Sequence, residues 1–168
     1  MRCAVSAFFK YSGIVLILIF ALLVSREYDR YLKKRLAEAS AFLSYINHIR
    51  KQISRFLSPV SDWRESFSDG RLEDIGFLPR VREGVTLDEA FQACRERLSV
   101  SEEMKKTLGS FFSDFGRGYL DEEIKKADTA FSQAEEIFKK ESEECKKSSK
   151  IAKTLLLSLA LSLALILL

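Results

Sequence analysis

The sequence predicts an all-α protein, a helical bundle in which two long amphipathic helices continue into apolar helices at the N- and C-terminal ends, with two or more short helices between them. Three observations predict it. The charges are confined to the middle of the chain, only two prolines occur (Pro59 and Pro79), and apolar residues recur at every third or fourth position on either side of a glycine-punctuated centre. Of the 168 residues 30% are charged, yet residues 1–25 hold only Arg2 and Lys10 and residues 154–168 hold none. A mean hydropathy near zero therefore conceals two apolar ends around a charged middle.

Residues 11–25 read YSGIVLILIFALLVS, an uncharged run of 15 residues. As a helix it spans roughly 22 Å against a hydrocarbon core of about 30 Å. Counting back to Ala4, past Lys10 as a snorkelling base, reaches about 33 Å. An uncleaved transmembrane anchor over residues 1–25 is expected. A cleaved signal peptide competes with it, but cutting after Ser25 puts Leu23 where a small residue is needed.

Nothing breaks a helix over residues 26–57, where Tyr28, Leu32, Leu36, Ala39, Leu43, Ile46, Ile49, Ile53 and Phe56 form one stripe. Burial against the chain's own helices and a coiled-coil seam both fit this spacing. Residues 58–84 are read as a connector containing Pro59, Trp63 and Phe67. Thr86-Leu87-Asp88-Glu89 fits a capping box, in which hydroxyl and carboxylate satisfy each other's free amides, and predicts a short helix to Leu98. Ser101 precedes a second short helix carrying Met104, Leu108, Phe111, Phe112 and Phe115 and ending near Gly116 and Gly118. The last element starts near Asp121. Ile124, Ala127, Phe131, Ala134, Phe138 and Cys145 form its seam, with Glu141 as the exception, and no glycine or proline interrupts it before TLLLSLALSLALILL.

The organisation that follows is an N-terminal transmembrane anchor (1–25), a cytoplasmic helical domain (26–153) and a C-terminal transmembrane segment (154–168). Arg26, Arg30, Lys33, Lys34 and Arg35 follow the first span, and Lys146, Lys147, Lys150 and Lys153 precede the second. The positive-inside rule then places the middle in the cytoplasm. Lys10, Arg26, Lys150 and Lys153 are the expected membrane-interface residues, facing lipid headgroups.

Several function classes are excluded at this stage. The middle holds 25 of the 27 bases and all 24 acids, so nucleic-acid binding has no global charge support. Cys3, Cys94 and Cys145 are scattered and His48 is the only histidine, which predicts neither a disulfide framework nor a metal centre. FGRGYL has two glycines but no Lys-Ser/Thr pair and no preceding strand, so it is not a phosphate loop. No catalytic, cofactor-binding or metal-ligating residues are expected, and the protein is not expected to be an enzyme. The apolar residues of the short-helix region, Leu87, Phe91, Phe111, Phe112 and Phe115, are the candidate partner contacts, with burial in the core as the alternative.

The layout resembles the stage III sporulation protein AB family of endospore-forming bacteria. The resemblance rests on the apolar anchor followed by a basic helix, the central Gly84-Val85-Thr86-Leu87-Asp88-Glu89-Ala90-Phe91, and the Leu108-Gly109 and Phe115-Gly116 region leading through Asp121 into a long charged helix with a leucine-rich end. That family is similar to the inner-membrane platform proteins of type II secretion and type IV pilus systems. The resemblance implies a noncatalytic, two-pass platform subunit of a secretion-system-like channel complex between mother cell and forespore. It would sit in the cell membrane on the mother-cell side. Its partners would be the other channel subunits, a secretion-type cytoplasmic ATPase and membrane lipid; self-association into a homo-oligomer stays open. The competing class is a generic two-span scaffold or signalling protein with a coiled-coil-like head.

Overall fold

The computed structural model of the protein describes residues 2–56 and 66–167, and every regular element among them is helical. The helices are α1 (Arg2–Phe56), α2 (Gly70–Asp74), α3 (Phe77–Arg82), α4 (Leu87–Cys94), α5 (Glu102–Asp114) and α6 (Leu120–Leu167), with a 3₁₀ turn at Arg95–Arg97. Pro59 and Trp63, and the side chains of Cys3, Lys10 and Phe56, lie outside the described residues. The chain forms two compact units. Lys34–Ser142 is the central unit; Met1–Lys33 together with Glu143–Leu168 is the terminal unit.

In the central unit each short helix has an identifiable start signal. The Asp69 carboxylate accepts the N–H groups of Arg71 and Leu72 and opens α2. Gly76, at φ 82°, turns the chain from α2 into α3 through the left-handed region. Pro79 sits in the first turn of α3, where an N–H has no helical partner to lose. A Schellman closure ends α3: Gly84 N–H bonds to the Val81 carbonyl at 3.2 Å and Val85 N–H to that of Arg80 at 3.1 Å. Residues 70–82, read from sequence as plain connector, are thus corrected to two short helices. Thr86 and Glu89 make the expected capping box, and the Ser101 hydroxyl accepts the Met104 N–H at 3.1 Å to open α5. The helix expected to reach Leu98 ends at Cys94 and tightens into the 3₁₀ turn.

The core of this unit is aromatic. Phe42 of α1 lies edge-on to Phe77 at 5.3 Å and to Phe91 at 6.0 Å. Phe112 of α5 packs at 5.4 Å on both Phe77 and Phe91. Tyr45 joins them through Phe77 and Phe67. Phe42 and Tyr45 were not in the expected stripe, yet both are fully buried, while Leu43 is only partly so. Helices α3, α4 and α5 each place a ring against Phe42, and this broadens the buried face of α1 beyond a single ridge. Cys94 is buried in the same core, and burial pushes its thiol up to about 11, against the partial opposition of Arg80.

The terminal unit is different in kind. Val15, Leu16, Ile19, Phe20, Leu22 and Leu23 of α1 are exposed, as are seven large apolar residues of α6 from Leu155 to Ile166, whereas Ala160 is buried. Asp29 accepts from the Ser149 hydroxyl at 2.6 Å and from Lys153 Nζ at 2.6 Å. Among the described residues no helix is long and apolar enough to cross a membrane. The uncharged runs of 15 residues fall short individually, and the expectation of spans at both ends needs the flanking turns as well.

Truncating the aromatic hub tests this account of the core. Phe42→Ala is expected to lower the stability of the central unit by about 3–5 kcal/mol, and Thr86→Ala by about 1 kcal/mol, measured by urea unfolding of the detergent-solubilised chain followed by circular dichroism.

Candidate functional surfaces

The residues expected to contact a partner are packed inside. Leu87, Phe91, Phe111 and Phe112 are buried, and Phe115 is partly buried against the same cluster, with its ring 5.2 Å from Phe111. Packing accounts for all five, and none supplies an exposed docking patch. Of the expected interface bases, Arg26, Lys150 and Lys153 are exposed. Lys153 and then Ser149, by hydrogen bonding, hold the Asp29 carboxyl below the usual carboxylate range. His48, the one candidate base, has Nε2 3.0 Å from the Ser66 hydroxyl and its ring 5.2 Å from Phe67.

Two buried acids of the central unit, Glu141 and Glu38, lie on the two long helices. Glu141, the exception in the α6 seam, is 4% exposed and faces Arg35 of α1 at 3.2 Å. Farther along, Arg50 Nε meets Asp128 at 2.8 Å, and its guanidinium lies 5.0 Å from the centre of the Phe131 ring. Passing from Arg35 to Arg50 up α1 means passing from Glu141 back to Asp128 down α6, so the pairs hold the two helices antiparallel in one register. Glu38, 2% exposed, accepts the Ser99 N–H at 2.6 Å and so ties α1 to the segment before α5.

The turn from α5 to α6 is the third feature. Gly116, at φ 85°, takes a conformation that disfavours a side chain. Glu123, inside the first turns of α6, reaches back to accept the N–H of Gly116 at 2.8 Å and of Gly118 at 2.7 Å. Its other partner is Lys126 Nζ at 2.8 Å, which also donates to the Asp114 carbonyl. A Cβ on Gly118 would stand 2.8 Å from the Glu123 oxygen that its own N–H binds. Burial pushes the Glu123 carboxyl up, but the two amides and Lys126 outweigh it and hold it below the ordinary value. The turn carries Tyr119, 83% exposed, and Leu120, 41% exposed, the only large apolar residues exposed in the central unit among those described. Sequence inspection marked this stretch as a helix end at Gly116 and Gly118 and as a failed phosphate loop. The signal it missed was a glutamate following Gly-x-Gly by one helical turn.

The surface of the central unit carries several depressions. One, of about 370 Å³, lies between α5 and α6, lined by Thr107, Ser110, Asp114, Lys125, Thr129 and Gln133 among others. Another, of about 440 Å³, is lined by Lys34, Glu38, Arg71, Asp74, Ile75 and Arg97. Among the described residues no cluster of histidine, cysteine or carboxylate side chains is placed to hold a metal ion.

The buried charges give two checks. Glu141→Ala is expected to cost about 2 kcal/mol, less than the 3–5 kcal/mol of a fully buried pair because Arg35 keeps part of its hydration, whereas Arg35→Met with Glu141→Leu stays within about 1 kcal/mol of the parent in urea unfolding. Glu123 has a depressed native pKa, so its contribution is present above the unfolded value, ordinarily 4.5, and is lost as pH falls through the lower native value. Glu123→Gln is therefore expected to lose about 1–2 kcal/mol at pH 7, with the gap to the parent closing as unfolding is repeated in increasingly acidic buffer.

A family model described as stage III sporulation protein AB matches residues 10–168. No curated protein and no solved structure matches the chain.

Proposed function

The chain belongs to the stage III sporulation protein AB family and has a sporulation-related role; on that premise we propose that it is a noncatalytic membrane platform subunit of a secretion-system-like channel complex between mother cell and forespore, engaging a cytoplasmic ATPase. The observation that carries the membrane part is the partition of exposed apolar surface. Every large apolar residue exposed among those described belongs to the terminal unit, apart from Tyr119 and Leu120. Exposed apolar side chains concentrated in this way mark a membrane or protein contact. Arg26, Arg30, Lys33, Lys146, Lys147 and Lys150 adjoin it in sequence, as expected for bases at a headgroup layer on the cytoplasmic side. Local bilayer thinning accommodates runs that fall short of the hydrocarbon thickness.

The platform part rests on family membership and on the kinship of that family to secretion and pilus platforms. The noncatalytic part rests on the same kinship, together with the single histidine of the sequence, His48. With the expected contact residues buried, Tyr119 and Leu120 on the Glu123-tied turn are the apolar groups that the central unit offers a partner. Tyrosine on a rigid support is a common interface anchor.

Purification of the tagged chain from sporulating cells is expected to bring down a secretion-type ATPase or channel subunit. Tyr119→Ser with Leu120→Ser is expected to reduce that recovery at least fivefold while the thermal midpoint of the protein is unchanged. Recovery of neither partner class, with constitutive expression in growing cells, would instead identify a general two-span scaffold.

A further inference from the structure

Glu38 is the most deeply buried acid among the described residues, and its hydrogen bonding is half complete. Oε2 takes the Ser99 N–H, but Oε1 has no hydrogen bond, and Lys34 Nζ stands off at 3.8 Å. A buried carboxylate oxygen left in this state is costly, and such groups in native proteins call for a partner. Glu38 lines the cavity of about 440 Å³, a volume within the ordinary span of small-molecule sites.

The chemistry of the walls narrows the partner. Lys34 of α1, Arg71 of α2 and Arg97 of the 3₁₀ turn bring three bases, and Glu38 and Asp74 bring two acids. Arg71 and Arg97 form no ion pair among the described residues, and Lys34, 63% exposed, is free to swing. A purely anionic ligand would meet two carboxylates, and a purely cationic one three bases. A ligand of both signs satisfies each set. Guanidinium groups hold a phosphate through paired N–H donors, and an ammonium supplies the N–H that Glu38 Oε1 lacks. Ile75 offers apolar contact to a short carbon linker between them.

We propose that the cavity lined by Lys34, Glu38, Arg71, Asp74 and Arg97 binds a phosphoethanolamine group, with the phosphate on the arginines and Lys34 and the ammonium on Glu38. The group has two sources, a free soluble zwitterion and the headgroup of a phospholipid. Only the second rests on the membrane reading given above.

The test uses the full chain in maltoside detergent and two arms. In calorimetric titration, O-phosphoethanolamine is expected to bind at least tenfold more tightly than phosphocholine, whose quaternary nitrogen has no N–H to give, and than inorganic phosphate. Glu38→Gln, which keeps an oxygen for Ser99, and Arg71→Ala, at an exposed position, are each expected to weaken binding at least tenfold, the latter with an unchanged melting curve. In the second arm, native mass spectrometry of protein reconstituted with equal phosphatidylethanolamine and phosphatidylcholine is expected to show enrichment of the former that Glu38→Gln abolishes. Selectivity in the titration assigns a soluble ligand, and selectivity only in the lipid arm assigns the headgroup. Equal binding of all probes in both arms, absence of binding in both, or indifference to Arg71→Ala and Arg97→Ala would leave Glu38 a hydrated structural acid and overturn the proposal. Should Glu38→Gln fail to fold, the two exposed arginine variants carry the same decision.

Discussion

The aromatic cluster around Phe42 is the constraint on which the central unit depends. Helices as short as α2, α3 and α4 lie well below the roughly 12–15 residues at which an isolated helix becomes even marginal in water. Their caps fix where they start, but the caps cannot make them stable. Docking does that, and the common dock is the face of α1 that presents Phe42 and Tyr45 to Phe77, Phe91 and Phe112. Edge-to-face geometry at these distances adds about 0.5–1.5 kcal/mol per pair beyond area burial and penalises sliding. The ring contacts therefore fix position as well as supplying stability.

Three buried acids sharpen that specification. Each joins parts of the chain that apolar packing alone would hold less selectively: Glu38 reaches Ser99, Glu123 the Gly116–Gly118 turn, and Glu141 the Arg35 side chain. A buried ion pair such as Glu141–Arg35 adds little net stability over an apolar replacement, and the best-attested effect of such pairs is to reject alternative registers. A seam of small and aromatic residues such as Ala127, Ala130, Ala134 and Phe138 tolerates a slip that a carboxylate among them does not.

What was legible in the sequence was local. The Thr86–Glu89 box and the Ser101 cap follow from contacts three residues apart, and the breaker-free stretches marked both long helices. Residues 70–82 escaped because one-turn helices are shorter than any window in which a period of 3.6 can be counted. Asp69, Gly76 and Pro79 were nevertheless readable as punctuation. Leu87, Phe91, Phe111 and Phe112 show a deeper limit. An apolar residue on a short helix looks the same whether its complement is α1 or another protein, and only the tertiary arrangement decides. The Glu38–Ser99 bond joins positions 61 residues apart and has no local trace at all.

Cys94 brings a practical consequence. Thiols react as thiolates, and a group buried among Phe91, Leu98 and Met104 with its ionisation pushed up to about 11 presents almost none at neutral pH. Alkylation of this cysteine must wait for the surrounding helices to part, so its rate of modification is a native clock for opening of the central unit, readable without any introduced label.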